Sequence, residues 1–272
     1  MRVKFRGVRG STPTPQADRL RYGGNTSCLQ IEAPRSKDVV ILDCGSGLMA
    51  LGDELMSREC ALRIHLLLTH FHWDHIQGLP YFAPLFNPRM QIAFYAHRQP
   101  EEIRNCLTVQ MSDPFFPLPF NALTSQLEFH SIEHGKSFDL GDVSVRPFAL
   151  NHPQGATGYR IDSEGAALVY ATDHEYGEPE IDAGLVRIAR NADVLVMDAQ
   201  YTPEEYVAKK GWGHSSYAHA AEAAIAAGVS KLVLFHHDPR HDDAFLDKML
   251  ADAQRLFPKT EMAREGDVLA IG

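Results

Sequence analysis

The densest chemistry in the chain lies in six consecutive residues, His70-Phe71-His72-Trp73-Asp74-His75. Imidazole and carboxylate groups are ligands for zinc and for harder divalent metals. Side chains alternate faces along an extended strand, so His70 and His72 project in a similar direction just past a strand end. The turn that follows can carry Asp74 and His75 round to a second position. Four ligating groups from so tight a turn are more than one tetrahedral ion conveniently takes, and two adjacent ions are the better reading. The bland alternative is a solvated polar loop. Three further groups follow apolar runs in the same way: His152 after Leu150, Asp173 after Ala167–Ala171, and the pair His236-His237 after Lys231–Phe235. Singly, each reads as a loop or capping residue. Jointly, they place ligands at the ends of several strands, where they can converge on one sheet edge, and Asp173 could bridge two cations.

The elements that must position these groups are legible as hydrophobic runs. Strands are expected over residues 2–9, Thr26–Glu32, Asp38–Asp43, Leu62–Thr69, Gln91–Ala96, Leu123–His130, Val143–Leu150, Thr157–Ile161, Ala167–Ala171, Val194–Met197, Lys231–Phe235 and 267–271. Helical patterns occupy residues near 48–58, 101–110, 180–190, 204–209 and 242–256. An alanine-rich helix is expected to be capped by Ser215 and to end at Gly228. Strands followed by helices, twice over, suit two mixed sheets packed face to face with helices outside.

Composition bounds the rest. The 272 residues are 44% hydrophobic, enough to bury a core without staples. A net charge of −9 argues against coating extended nucleic acid and leaves room for a small phosphate ester in a locally positive pocket. The basic, alternating start lacks a signal-peptide pattern, and no run reaches the ~18 apolar residues of a membrane span. The cysteines Cys28, Cys44, Cys60 and Cys106 have no C-x-x-C spacing. A cytoplasmic protein with reduced cysteines is the expectation.

The HFHWDH motif, with His152, Asp173 and His236 at these offsets, resembles the metallo-β-lactamase superfamily of dinuclear metallohydrolases. The resemblance implies a mixed α/β, four-layer αββα sandwich over residues 1–272 as one domain. It also implies two divalent ions per chain, zinc foremost with manganese or iron(II) compatible. His70, His72 and His152 would hold one ion, Asp74, His75 and His236 the other, and Asp173 would bridge them. His237 competes with His236, and the position directly after the apolar run favours the first.

Finer features resemble the phosphodiesterase branch, which includes ribonuclease Z and phosphoribosyl cyclic phosphate phosphodiesterase. These are GVRGSTPTP followed by RYGGNTSCLQI, the stretch Gly211-Trp212-Gly213-His214-Ser215-Ser216, Asp198 within Val196–Ala199, and an aspartate as bridge. By that resemblance Asp74 orients the attacking water, His214 protonates the leaving oxygen, and Asp198 orients His214. Two departures matter. Asp173 lies only 21 positions after His152, where ribonuclease Z usually inserts a tRNA-gripping arm, and no cysteine-bearing extra zinc site is visible. The run around Trp73 looks more like a bacterial cyclic-nucleotide-type group.

The expected function is therefore hydrolysis of a small or cyclic phosphodiester. A lactone or thioester hydrolase, a tRNA 3′-processing endonuclease without the arm, and a metal-binding sensor are the alternatives. The presence of both Asp74 and His214 argues against the sensor. Asn25, Thr26, Ser27 and His174 are candidate substrate contacts, and Arg9 and Arg21 read as solvated surface arginines. His97, His134 and His219 read as structural or surface residues. The aromatic segment 81–120 is expected to be a homodimer interface rather than a lid.

Overall fold

The computed structural model describes residues 1–58 and 60–272. The first half supplies β1 (Arg2–Gly7), β2 (Cys28–Glu32), β3 (Val39–Leu42), β4 (Arg63–Leu67), β5 (Gln91–Ala96) and β6 (Gln126–Ser131). The second supplies β7 (Phe138–Leu140), β8 (Val143–Leu150), β9 (Ala156–Ser163), β10 (Ala166–Ala171), β11 (Val194–Asp198), β12 (Lys231–Phe235), β13 (Thr260–Met262) and β14 (Val268–Ala270). They form two seven-stranded sheets, ordered β14-β1-β2-β3-β4-β5-β6 and β13-β12-β11-β10-β9-β8-β7. The last strand thus returns to close the edge of the first sheet.

Alternation along the strands explains the layering. Val40 and Leu42 of β3 face inward with Tyr159, Ile161, Tyr170 and Phe235 of the other sheet, forming a core between the sheets. Val39 and Ile41 point outward, where α1 (Leu48–Met56) and α3 (Pro100–Gln110) cover them and their neighbours with Leu51, Leu55, Ile103 and Leu107. On the opposite face α4 (Pro179–Ala189), α6 (Tyr217–Ala227) and α7 (Asp243–Leu256) bury Val169, Leu195, Leu232 and Leu234. Strands covered on both faces must be apolar throughout, which is why β3, β10 and β12 read as unbroken runs. The result is the expected αββα sandwich.

The pairings β3–β4–β5–β6 and β10–β11–β12–β13 are parallel. Their C-terminal ends therefore emerge at common edges, the usual place for a ligand site in sheets of this kind. The loops after β4, β8, β10 and β12 deliver His70–His75, His152, Asp173 and His236.

Local chemistry departs from the expected boundaries at four places. Ser216, not Ser215, caps α6: its side chain accepts from His219 N, while Ser215 Oγ donates to His174 O. Gly228 ends the helix at φ +65°, as expected. The turn after His72 is a single helical turn, α2 (Trp73–Ile76). The three-residue strands β7 and β13 are too short to announce themselves by period. A last helix, α5 (Pro203–Lys209), opens with a Thr202/Glu205 capping box. No helix among the described residues is long and apolar enough to cross a membrane.

Candidate metal centre

Two ligand clusters converge at this edge. The first is His70, His72 and His152; the second is Asp74, His75, Asp173 and His236, each set with its ligand atoms within 4.8 Å of one another. In the first, His152 Nε2 lies 3.2 Å from His72 Nδ1. In the second, His236 Nε2 is 3.2 Å from Asp74 Oδ2 and 3.4 Å from His75 Nε2. Asp173 divides its oxygens between them. Oδ2 lies 3.0 Å from His75 Nε2 and 3.3 Å from His236 Nε2. Oδ1 lies 3.8 Å from His70 Nε2 and 3.7 Å from His152 Nε2.

Each imidazole is turned by a bond from its other nitrogen. His75 Nδ1 donates to Asp43 Oδ2 at 2.8 Å, His152 Nδ1 to Gly213 O at 2.8 Å, and His236 Nδ1 to Gln200 Oε1 at 3.0 Å. His72 is reversed, giving Nε2 to Gln154 Oε1 at 3.0 Å and Nδ1 to the cluster. His70 Nδ1 donates to Thr69 Oγ1 at 3.0 Å, which in turn donates to Asp43. Such outer partners fix tautomer and orientation and raise ligand basicity.

The residues present fit divalent cations. Asp43, Asp74, Asp173 and Asp198 are all buried, and no Lys or Arg among the described residues pairs with any of them. Buried carboxylates without such partners call for positive charge of another kind. Burial opposes ionisation of Asp173, but His236, His75 and His70 override it and hold the carboxyl well below its usual range. Burial also opposes a charge on His75, yet Asp173, Asp74 and Asp43 together push that imidazole well up, so negative charge is in excess around it. Burial and the neighbouring His75 hold His70 well down, and its Nε2 is a buried nitrogen with no hydrogen-bond partner, free to act as a ligand.

The backbone is shaped to match. Asp43, Asp173 and His236 lie at φ +61°, +55° and +63°, conformations that non-glycine residues adopt at a cost. Gly10 and Gly213 permit close approach: a Cβ on either would stand 2.4 Å from His236 Nδ1 or His152 Nδ1. Ser11 N donates to Asp74 Oδ2 at 2.7 Å, so the loop after β1 also touches the site.

A third set joins on. His214 Nδ1 donates to Asp198 Oδ2 at 2.7 Å, and the ring stacks on His236 with centroids 4.9 Å apart. Burial pulls the His214 imidazole down, but Asp198, with Asp173 and Asp74 behind it, raises it to about 9. Cations beside it would oppose that rise. Its Nε2 has no hydrogen-bond partner among the described residues. Asp198 also accepts from Asp173 N at 3.1 Å and Ser215 N at 3.0 Å. Glu175 holds the loop ahead of His214 by accepting from Gly211 N and Gly213 N, at 2.7 and 2.8 Å.

Several expected contacts are placed elsewhere. His174 is fully buried, takes Asn151 N–H on Nδ1 and faces Asp182, so it does not line the pocket. Asn25 is consumed by Glu265 and Ser46, Thr26 Oγ1 by Ser46 N and Gln77 Nε2, and Ser27 is buried. These three tie the 45–47 turn to the first sheet rather than facing a substrate. Arg9 is no surface residue: it is buried and donates to the carbonyls of Gly23, Arg19 and His241. His237 donates Nε2 to Ala263 O and is held down to about 3 by burial and Arg9, leaving His236 alone in the cluster. Asp43, Thr69, Gln154, Glu175 and Gln200 were not singled out from the sequence. Only the polar Asp43 ending an apolar strand gave a usable signal.

The family model described as Beta-lactamase superfamily domain matches residues 39–237. The chain therefore belongs to that superfamily. A ribonuclease Z from Crocosphaera subtropica is 24% identical, covering 97% of this chain and 96% of the relative. Among solved structures, the metallo-beta-lactamase fold protein YhfI from Bacillus subtilis superposes with a TM-score of 0.75 at 19% identity, covering 100% of this chain and 98% of that one. A diphosphatase from the PhnP family gives 0.71 at 18% identity, covering 100% and 98%.

Asp43→Ala strips the acceptor from His75 and Thr69, so divalent-metal affinity should fall roughly 10–100-fold, read by metal titration of the apoprotein. Gly213→Ala should displace His152 and lower the metal content of purified protein, measured by elemental analysis.

Proposed function

We propose that the chain is a metal-dependent phosphodiesterase with two divalent ions, zinc foremost, acting on a small or cyclic phosphodiester. The observation that carries this reading is the placement of His214 and Asp198 against Asp173, where a proton donor would stand beside the two His/Asp clusters. When bound, such cations polarise a phosphoryl group and make water nucleophilic at neutral pH. Asp74, its Oδ2 fixed by Ser11 N–H, orients the attacking water by accepting its proton. His214 holds a proton on Nε2 for the departing alkoxide, and Asp198 stabilises the imidazolium and fixes its tautomer.

The relatives named ribonuclease Z favour a second reading, cleavage of a tRNA 3′ trailer. That alignment runs over 323 positions, so the relative carries segments this chain lacks. The β9–β10 connection between His152 and Asp173 is the two-residue turn Glu164-Gly165, with no arm. A small substrate is the better fit.

The exposed aromatics Tyr81 and Phe115 support association of two copies through the 81–120 region. A cytoplasmic location accords with the free cysteines.

His214→Ala should keep its metal and lose roughly 10²–10⁴ in turnover of bis(p-nitrophenyl) phosphate; wild-type turnover would sink the assignment. Because the donor must be protonated, wild-type rate should fall as pH rises through the His214 pKa, and the variant should lose that limb. His70→Ala and His75→Ala should instead lose metal. A panel adding cyclic mononucleotides, a lactone, a thioester and a precursor tRNA separates the readings: hydrolysis of the lactone or thioester alone overturns the phosphodiesterase. Phe115→Glu should convert a dimer to a monomer by light scattering.

A further inference from the structure

The loop after β1 meets the ligand clusters through consecutive residues. Ser11 N–H holds Asp74 Oδ2 at 2.7 Å. Gly10 backs onto the His236 imidazole, where a Cβ would stand 2.4 Å from Nδ1. Gly10 N donates to His237 O at 3.0 Å and His237 N to Val8 O at 3.1 Å, a short bridge on either side of residue 9. These contacts fall on the cluster that contains Asp74 and His236, not on the one formed by His70, His72 and His152.

The side chain of Arg9 is fully buried and spends its donors on main-chain carbonyls from two separate loops. Nε donates to Gly23 O at 2.8 Å and Nη2 to Arg19 O at 3.1 Å, both in the segment leading into β2. Nη1 donates to His241 O at 2.8 Å and to Asp238 O at 3.3 Å, in the loop after β12 that begins with His236. Its one ion pair among the described residues is with Asp243, at 4.0 Å. A planar guanidinium can serve several carbonyls at once, a task for which a lysine ammonium on a flexible stem is poorly shaped. Burial pulls the guanidinium down to about 10, so it stays charged at neutral pH.

The same segment has other anchors to the fold. Arg21 pairs with Asp247 at 2.6 Å, and Tyr22 donates its OH to Asp247 at 2.8 Å and its N–H to Asp243 at 3.2 Å, docking residues 21–22 on α7. What Arg9 adds is a tie between that segment, the loop behind His236, and the chain that carries Gly10 and Ser11.

We infer that Arg9 is a positioning residue for one of the two metal positions: its clamp on both loops sets His236 and, through Ser11, Asp74 in ligand geometry. The inference rests on the two-ion reading and assigns the clamp to the Asp74/His75/His236 position alone.

The test titrates cobalt(II), whose absorption reports ligand geometry, into metal-free wild type, Arg9→Ala, Arg9→Lys and Arg21→Ala. His70→Ala and His75→Ala serve as references for the two positions, and calorimetry supplies the affinities. Wild type and Arg21→Ala should take two ions. Arg9→Ala should weaken one ion roughly 10–100-fold, as outer contacts to metal ligands do, and leave the other unchanged. The absorption band it loses should be the one missing from His75→Ala. Arg9→Lys should show a smaller loss at the same position, and it carries the test if the alanine variant does not fold. Two undiminished ions in Arg9→Ala, or in Arg9→Lys where the alanine variant does not fold, would overturn the clamp. So would an equal loss at both positions, or loss of the band missing from His70→Ala. If wild type takes a single ion, the two-ion reading fails and that ion decides: weakening by the Arg9 variants but not by Arg21→Ala supports the clamp, and unchanged affinity refutes it.

Discussion

Everything at this sheet edge answers to one electrostatic constraint: four buried carboxylates, Asp43, Asp74, Asp173 and Asp198, with imidazoles but no lysine or arginine among the described residues as partners. Buried carboxylates are strongly unfavourable unless cations or several hydrogen bonds compensate them. The structure meets the demand in two ways. Asp43 and Asp198 are surrounded by donors, Asp43 by His75, Thr69 and Tyr170, and Asp198 by His214, Ser215, Asp173 N and Gln200 N. Asp74 and Asp173 are instead left to face ring nitrogens whose other sides are already committed. The first pair builds the frame, and the second stands within the cluster that could hold a metal ion.

That division explains why the backbone is bent where it is. A left-handed residue at a strand end turns its side chain sharply off the line of the pleat. Asp43 and His236 adopt such conformations directly after β3 and β12, and Asp173 does so two residues past the end of β10. Local strain of this kind persists only where surrounding contacts over-determine it. The parallel strands supply those contacts, since each is buried on both faces and cannot shift without breaking two cores.

The sandwich and the clustering of these His and Asp side chains were readable from the chain because both have strong local signatures. Unbroken apolar runs mark the doubly covered strands, and HFHWDH concentrates its ligands within one turn. Short strands such as β7 and β13 were not readable, as three residues carry no period. The outer partners were hidden for a different reason. Gln154, Glu175 and Gln200 lie in loops and act on groups brought near only by the fold, so nothing adjacent to them in sequence reports the contact. Asn25, Thr26 and His174 misled in the opposite sense: polar residues near a site suggest substrate, whereas these spend their atoms on neighbouring turns.

The tight hairpin between β9 and β10 has a consequence for how selectivity can change in this scaffold. With only Glu164-Gly165 at the bend, there is no appended segment there to reach out and hold a large ligand. Discrimination has to be written in single side chains on loops seated around a rigid frame. Retargeting such a protein is then a matter of point substitutions at the rim, open to gradual drift, rather than the gain or loss of a whole module.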